Sequence, residues 1–206
     1  MFSTVRAKDI ILVLIAGCAI GVFFLSVAAN ISALSFAVSN RLLSVGALTV
    51  LSLGGFLFVS ALSNLTRIGF FLQFGKFVLV GVLNTVVDFG VLNFLIRTTG
   101  VLAGAQIAGL NVISFSAAVV NSFFWNRRWV FEDREDKGST HEFFQFAAVS
   151  IIAIGVNTAI VYSVSTFIAP PFGLDQLTWI NLGKVFATAF SMVWNFLGYK
   201  FFVFKR

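Results

Sequence analysis

A run of aromatic and cationic residues closes an apolar segment twice in this chain, and the two occurrences lie 73 positions apart. Residues 122–131 contain Phe123, Arg127, Trp129, Val130 and Phe131, and residues 195–204 answer with Phe196, Lys200, Phe202, Val203 and Phe204. The same offset carries Asn84 and Thr85 onto Asn157 and Thr158, Phe94 onto Phe167 and Ile107 onto Ile180. One shift without gaps relates residues 74–131 to 147–204, which argues for two copies of one unit. The fold must therefore be assembled from a duplicated element that ends each time in a cation among aromatics.

The body of each copy is apolar. Residues 77–96, bounded by Lys76 and Arg97, and residues 102–125 make the third and fourth helices of the chain. Residues 143–168, stopped by Pro170 and Pro171, and residues 178–199 make the fifth and sixth. At about 1.5 Å per residue each spans roughly 30 Å, the thickness of a bilayer core. Upstream, residues 10–29 and 42–62 supply two further spans with no counterpart in the repeat, and the first is too long for a signal-peptide core, so it reads as an uncleaved helix. The second is rich in small residues (Gly46, Ser52, Gly54, Gly55, Ser60), which suits close helix packing. With 59% hydrophobic and 11% charged residues and a mean hydropathy of +0.99, a water-soluble domain is excluded. The expected fold is an all-α polytopic membrane protein of six transmembrane helices, the last four forming two parallel two-helix repeats. Residues 1–68 are the appended pair, and 69–206 the four-helix domain.

Orientation follows from the cations. With a cytoplasmic N-terminus, Arg6, Lys8, Arg67, Lys76, Arg127, Arg128, Arg134, Lys137, Lys200, Lys205 and Arg206 fall on the inner side, leaving only Arg41, Arg97 and Lys184 of the 14 elsewhere. The positive-inside rule then places both termini in the cytoplasm, at the cytoplasmic membrane. The net charge of +6 is explained by this flanking, so nucleic acid is not an expected partner. Cys18 is the single cysteine and His141 the single histidine; no metal-ligand spacing, nucleotide loop or catalytic triad exists, and no cofactor is expected. Residues 132–142 form the one hydrophilic loop, with acids and bases alternating as on a solvated surface. A transporter or scaffold, rather than an enzyme, is the class that remains.

Asp88 stands about 17 Å above the inner end of its helix, where an unpaired carboxylate costs on the order of 3 kcal/mol or more. Lys184 enters the sixth helix from the other side to a comparable depth, so the two are expected to pair or to face one polar cavity. Gly81, Asn84 and Asp88 share one helix face, as do Lys184, Thr188, Ser191 and Asn195. With Asn157, these residues are candidates for an intramembrane polar cavity, against the plainer reading of interhelical hydrogen-bond glue. Arg127, Arg128 and Lys200, with Asn126, sit among Trp125, Trp129, Tyr199 and Phe202 at headgroup depth. Anchoring is one reading; binding a lipid phosphate, with Arg as a bidentate donor, is the other.

Phe77 to Gly81 leading to Asn84, Thr85 and Asp88, with Asn126, Arg127, Arg128, Trp129, Val130 and Phe131 closing one repeat and Asn195 to Phe204 the other, resembles the GtrA-like family of small membrane proteins. The same module forms the transmembrane domain of some polyprenyl- or dolichol-phosphate sugar synthases. The resemblance covers about residues 70–206 and leaves the first two helices outside it. It implies flipping of a polyprenyl-monophosphate-linked sugar across the membrane, for cell-surface polysaccharide or cell-wall glycosylation. Membrane lipids, a cytoplasmic glycosyltransferase and further copies of the chain are the partners it brings to mind. Two other expectations stand beside it: a scaffold that recruits a polyprenyl-phosphate glycosyltransferase, and an ion-coupled exporter of small cations with Asp88 as the proton-exchanging acid.

Overall fold

The computed structural model describes residues 5–130 and 140–198, with side chains at all of these except 70, 140–147, 192, 193 and 195–198. Every regular element among them is helical: α1 (Ala7–Ala28), α2 (Ser35–Ser39), α3 (Arg41–Thr66), α4 (Phe70–Thr99), α5 (Gly104–Trp125), α6 (Thr140–Phe167) and α7 (Gln176–Gly198). Five segments are long and apolar enough to cross a membrane: Ala7–Ala28, Arg41–Thr66, Phe71–Thr99, Gly104–Val130 and Ala148–Phe167. The chain is a multi-pass membrane protein. The sixth expected span corresponds to α7, which is helical but interrupted by polar residues and not among those five.

Two compact units divide the chain: Met1–Gly90 with Ala118–Arg134, and Val91–Ala117 with Glu135–Arg206. In the first, α1 and α3 form an antiparallel pair. A Cβ on Gly17 would lie 2.8 Å from the Thr49 Cα, and one on Gly21 2.7 Å from the Val45 Cα, so only glycine lets these backbones approach. Helix α4 runs parallel to α1, because Lys76 meets Asp9 while Gly90 abuts Phe23, contacts 14 residues apart on each helix. Val13, Phe56, Leu72, Val80, Trp129 and Val130 form the core that α1, α3, α4 and the end of α5 share.

The second unit has its own core of Leu92, Ile96, Ile107, Val161, Ile180 and Ala187. Helices α6 and α7 form an antiparallel hairpin, with Gly183 against Val164 near its turn and the Trp194 indole donating to the Val149 carbonyl at 3.3 Å farther along. Asp175 caps α7: its carboxylate accepts from the Thr178 hydroxyl at 2.6 Å and the Thr178 N–H at 2.9 Å. The hydroxyl bond first, then the N–H bond, hold this exposed carboxyl below its ordinary pKa.

Burial along α7 inverts the pattern of a water-soluble helix. Asn181, Lys184 and Ser191 are buried while Leu182, Val185, Phe186 and Phe190 are exposed. Helix α3 likewise exposes Leu42, Val50, Leu51, Phe58 and Leu65. Such faces fit hydrocarbon as solvent.

Gly21→Ala should lower the thermal midpoint of the purified protein in detergent, by an overpacking cost of about 1–3 kcal/mol. Gly54→Ala, where an added Cβ meets nothing within 4 Å, should leave the midpoint unchanged or raise it.

Candidate functional site

After Trp125 the last turn of the α5 rod widens into a π-helical turn, Asn126–Val130. Such turns insert a residue into the helical register and re-aim the side chains around it. Here the outcome is a division by character: Trp129 and Val130 are buried, while Arg127 and Arg128 are exposed. Each guanidinium is set on a phenylalanine four positions earlier, Arg127 at 5.9 Å from the Phe123 ring and Arg128 at 5.5 Å from that of Phe124. The aromatic stems thus carry two adjacent cations at the end of a spanning segment. Beside them Asn126 donates to the Ser122 hydroxyl at 3.1 Å, and its own Oδ1, shielded from solvent, meets no donor. A buried acceptor without a partner, next to two guanidiniums, is an arrangement that suits a ligand bearing both an anion and hydroxyl groups.

Trp129 is held from below by a residue that flanking-charge reasoning treats as topology. Asp9, 0% exposed, takes the Lys76 ammonium at 2.6 Å and the Trp129 indole N–H at 2.9 Å on one oxygen. Its other oxygen accepts the Arg6 backbone N–H at 3.0 Å, with the Arg6 guanidinium at 3.6 Å. The Lys76 ammonium also lies 5.6 Å from the Trp129 ring centroid. Three donors therefore converge on one carboxylate, with a second cation close by. The sequence offered no periodic signal for this cluster, since Asp9 and Lys76 both sit where an apolar run begins.

Along α4, Asn84 accepts at 2.6 Å from Asn121 of α5, and Asp88, one turn farther, is 4% exposed. Asp88 therefore does not face lipid. Lys184 is 0% exposed and donates to the Asn111 Oδ1 at 2.6 Å and toward the Ser114 hydroxyl at 3.4 Å. Asn111 in turn donates to Asn157 and Thr158, both at 3.0 Å, and Asn157 donates to Ser191 at 3.3 Å. This network joins α5, α6 and α7, and it brings together three of the expected residues, Lys184, Asn157 and Ser191. Asn111 and Ser114 complete it; their place was foreshadowed only by the offset of 73 that relates Asn111 to Lys184. A second closed pair, Asn93 and Asn181, exchanges two amide bonds at 2.7 and 2.9 Å. Asp88 belongs to the first unit and Lys184 to the second, and each is described within its own. The Asn195 side chain and the whole of Lys200 lie outside the described residues.

A helical bundle with lipid-facing apolar surfaces, buried amide and lysine networks and a paired-arginine turn defines a polytopic membrane protein built to tolerate polar groups at depth. The chain belongs to the GtrA/DPMS, transmembrane domain family, whose sequence profile matches residues 76–204. It is also 33% identical over 130 residues to the "Uncharacterized membrane protein YngA" of Bacillus subtilis (strain 168), covering 63% of this chain and 78% of that protein. No solved structure matches it. The family segment opens at Lys76, so α1, which supplies the partner of that lysine, lies outside it.

Lys184→Met should strip the Asn111 Oδ1 of a donor and lower stability by about 1–3 kcal/mol. Asn111→Leu should cost more, because Lys184, Asn157 and Thr158 all lose a partner. In thermal unfolding the double variant should lose less than the sum of the singles, by about 0.5–3 kcal/mol of coupling.

Proposed function

We propose that the protein moves a polyprenyl-monophosphate-linked sugar across the cytoplasmic membrane for assembly of cell-surface polysaccharide. Membership of the GtrA/DPMS transmembrane family points to the handling of lipid-linked sugars. The observation that carries the finer reading is the π turn, with two exposed guanidiniums beside an unpartnered amide oxygen. Arg127 and Arg128 take the lipid phosphate bidentately and Asn126 accepts from a hydroxyl of the headgroup, while Lys200 is the cation of the second closing segment. The partners that sugar hydroxyls require are Asp88 and Asn84 in the first unit, and Lys184, Asn157, Ser191 and Asn195 in the second. The prenyl tail stays in the hydrocarbon.

In this reading α7 is the sixth span, both termini are cytoplasmic, and the two closing segments share one face of the membrane. Support for a duplicated unit comes from Asn111 and Lys184, which occupy equivalent positions of the two copies and touch at 2.6 Å, as residues near a pseudo-two-fold axis do. Translocation is equilibrative, drawn onward by consumption of the sugar outside. A glycosyltransferase on the cytoplasmic side supplies the substrate.

In vesicles reconstituted with the full chain, Asp88→Asn should abolish translocation of a polyprenyl-phosphate sugar while leaving insertion and thermal midpoint intact. Translocation at the wild-type rate would remove Asp88 from the route. Arg127→Gln with Arg128→Gln should weaken capture of the same lipid by tenfold or more, given about 1.5–3 kcal/mol for each hydrogen bond to a charged group. A double variant that captures the lipid normally would refute the phosphate assignment.

A further inference from the structure

The carboxylate of Asp9 is outside the family segment, yet it is the group on which that segment's first residue and its closing tryptophan converge. We infer that Asp9 is a positioning residue for the arginine turn: by holding the Trp129 indole and the Lys76 ammonium on one oxygen, it fixes the turn that presents Arg127 and Arg128 to an anionic headgroup. The inference rests on the reading of those arginines as the phosphate site, and it makes the first helix a working part of that site.

The chain of contact is short. Trp129 follows Arg128 directly and packs edge-on against Trp125 at 5.6 Å and at a tilt against Phe56 of α3 at 6.1 Å. Its ring is 1% exposed, so its position is set by packing on three sides and by one polar tether, the indole N–H on Asp9. Val130, next along, is tied through its carbonyl to the Gln73 amide of α4 at 3.3 Å. The wide turn is therefore pinned at its far end by α1 and α4, while its near end continues α5. A π-helical turn has poorer hydrogen-bond geometry than an α-helical one and persists where its surroundings over-determine it. Without the tether, Trp129 loses the donor–acceptor pair that distinguishes this turn from an ordinary α-helical ending, and the two guanidiniums lose their common face.

The charge of Lys76 accounts for the use of a carboxylate in this place. A neutral acceptor would hold the indole equally well but would leave an ammonium that is only 6% exposed without a counter-charge. One acid serves both, and in doing so it keeps Lys76 from competing with Arg127 and Arg128 for the ligand's anion.

The test uses the full-length protein in detergent with dodecyl phosphate as probe, reading affinity and thermal midpoint together. Asp9→Leu with Lys76→Met replaces the ion pair by apolar side chains of similar volume, an exchange that is often neutral for stability. Its midpoint should fall by no more than the cost of one unpaired indole N–H, while probe affinity falls roughly tenfold, the scale of one lost charge-assisted hydrogen bond. Asp9→Glu, which keeps the acceptor, should bind within about threefold of wild type, and Trp129→Phe should fall with the double variant. If the ion-pair double variant recovers both midpoint and affinity, Asp9 is structural only and the inference fails. If Asp9→Asn binds more tightly than wild type, the carboxylate competes with the ligand, which also overturns it. The control is Arg127→Gln with Arg128→Gln: should that variant bind as wild type, the phosphate reading itself falls, and this inference with it.

Discussion

An ammonium withdrawn from water must be met by oxygen, and two buried lysines organise the two units of this protein around that requirement. Lys76 is met by a carboxylate from α1, which ties the appended helix to α4 and to the end of α5. Lys184 draws on an amide oxygen and a hydroxyl from α5, and the same amide passes the network on to α6. In each case a cation that would cost several kcal/mol if left bare becomes the reason why three helices hold a fixed relation. Apolar contact alone would not choose that relation, because between helices in lipid there is no hydrophobic drive to prefer one register over another.

The helix bodies were legible because length and hydropathy bound a spanning helix tightly, so the expected and observed ends differ by a few residues for most of them. The third helix departs furthest, starting at Phe70 rather than at 77, since Lys76 is buried by its ion pair and does not stop the helix. Asp88 was legible as a buried acid from depth alone, and Lys184 for the same reason. Asp9 was not: it follows Arg6 and Lys8 at the start of an apolar run, where charges ordinarily mark the water boundary, and nothing in one sequence reveals that Lys76, 67 positions on, will turn toward it. The π turn was equally hidden. Adjacent arginines beside aromatics suggest an interface, but only the widened register shows how both arginines stay outside while the next residue goes in.

The two copies in the sequence have diverged at the positions that carry charge, apart from Arg127 and its counterpart Lys200. Asp88 corresponds to Val161, Arg128 to Phe201, and Asn111 to Lys184. Where Asn111 and Lys184 meet, divergence solves a problem that symmetry creates: two lysines in contact would repel, whereas an amide oxygen and an ammonium bond at 2.6 Å. The unlike pair is thus what allows equivalent positions to touch inside a bilayer at all.

The same divergence bears on how many routes a duplicated module offers. Two identical halves would carry two acids and two paired-arginine ends, each able to hold a headgroup independently. Here the acid and both guanidiniums belong to the first copy, while Lys184, Asn157 and Ser191 belong to the second and share one network with Asn111 of the first. The closing segment of the first copy therefore carries two guanidiniums where that of the second carries one ammonium. The extra helix acts on that asymmetry from outside the duplicated module, since its carboxylate engages Lys76 and Trp129 of the first copy, whose counterparts in the second are Val149 and Phe202.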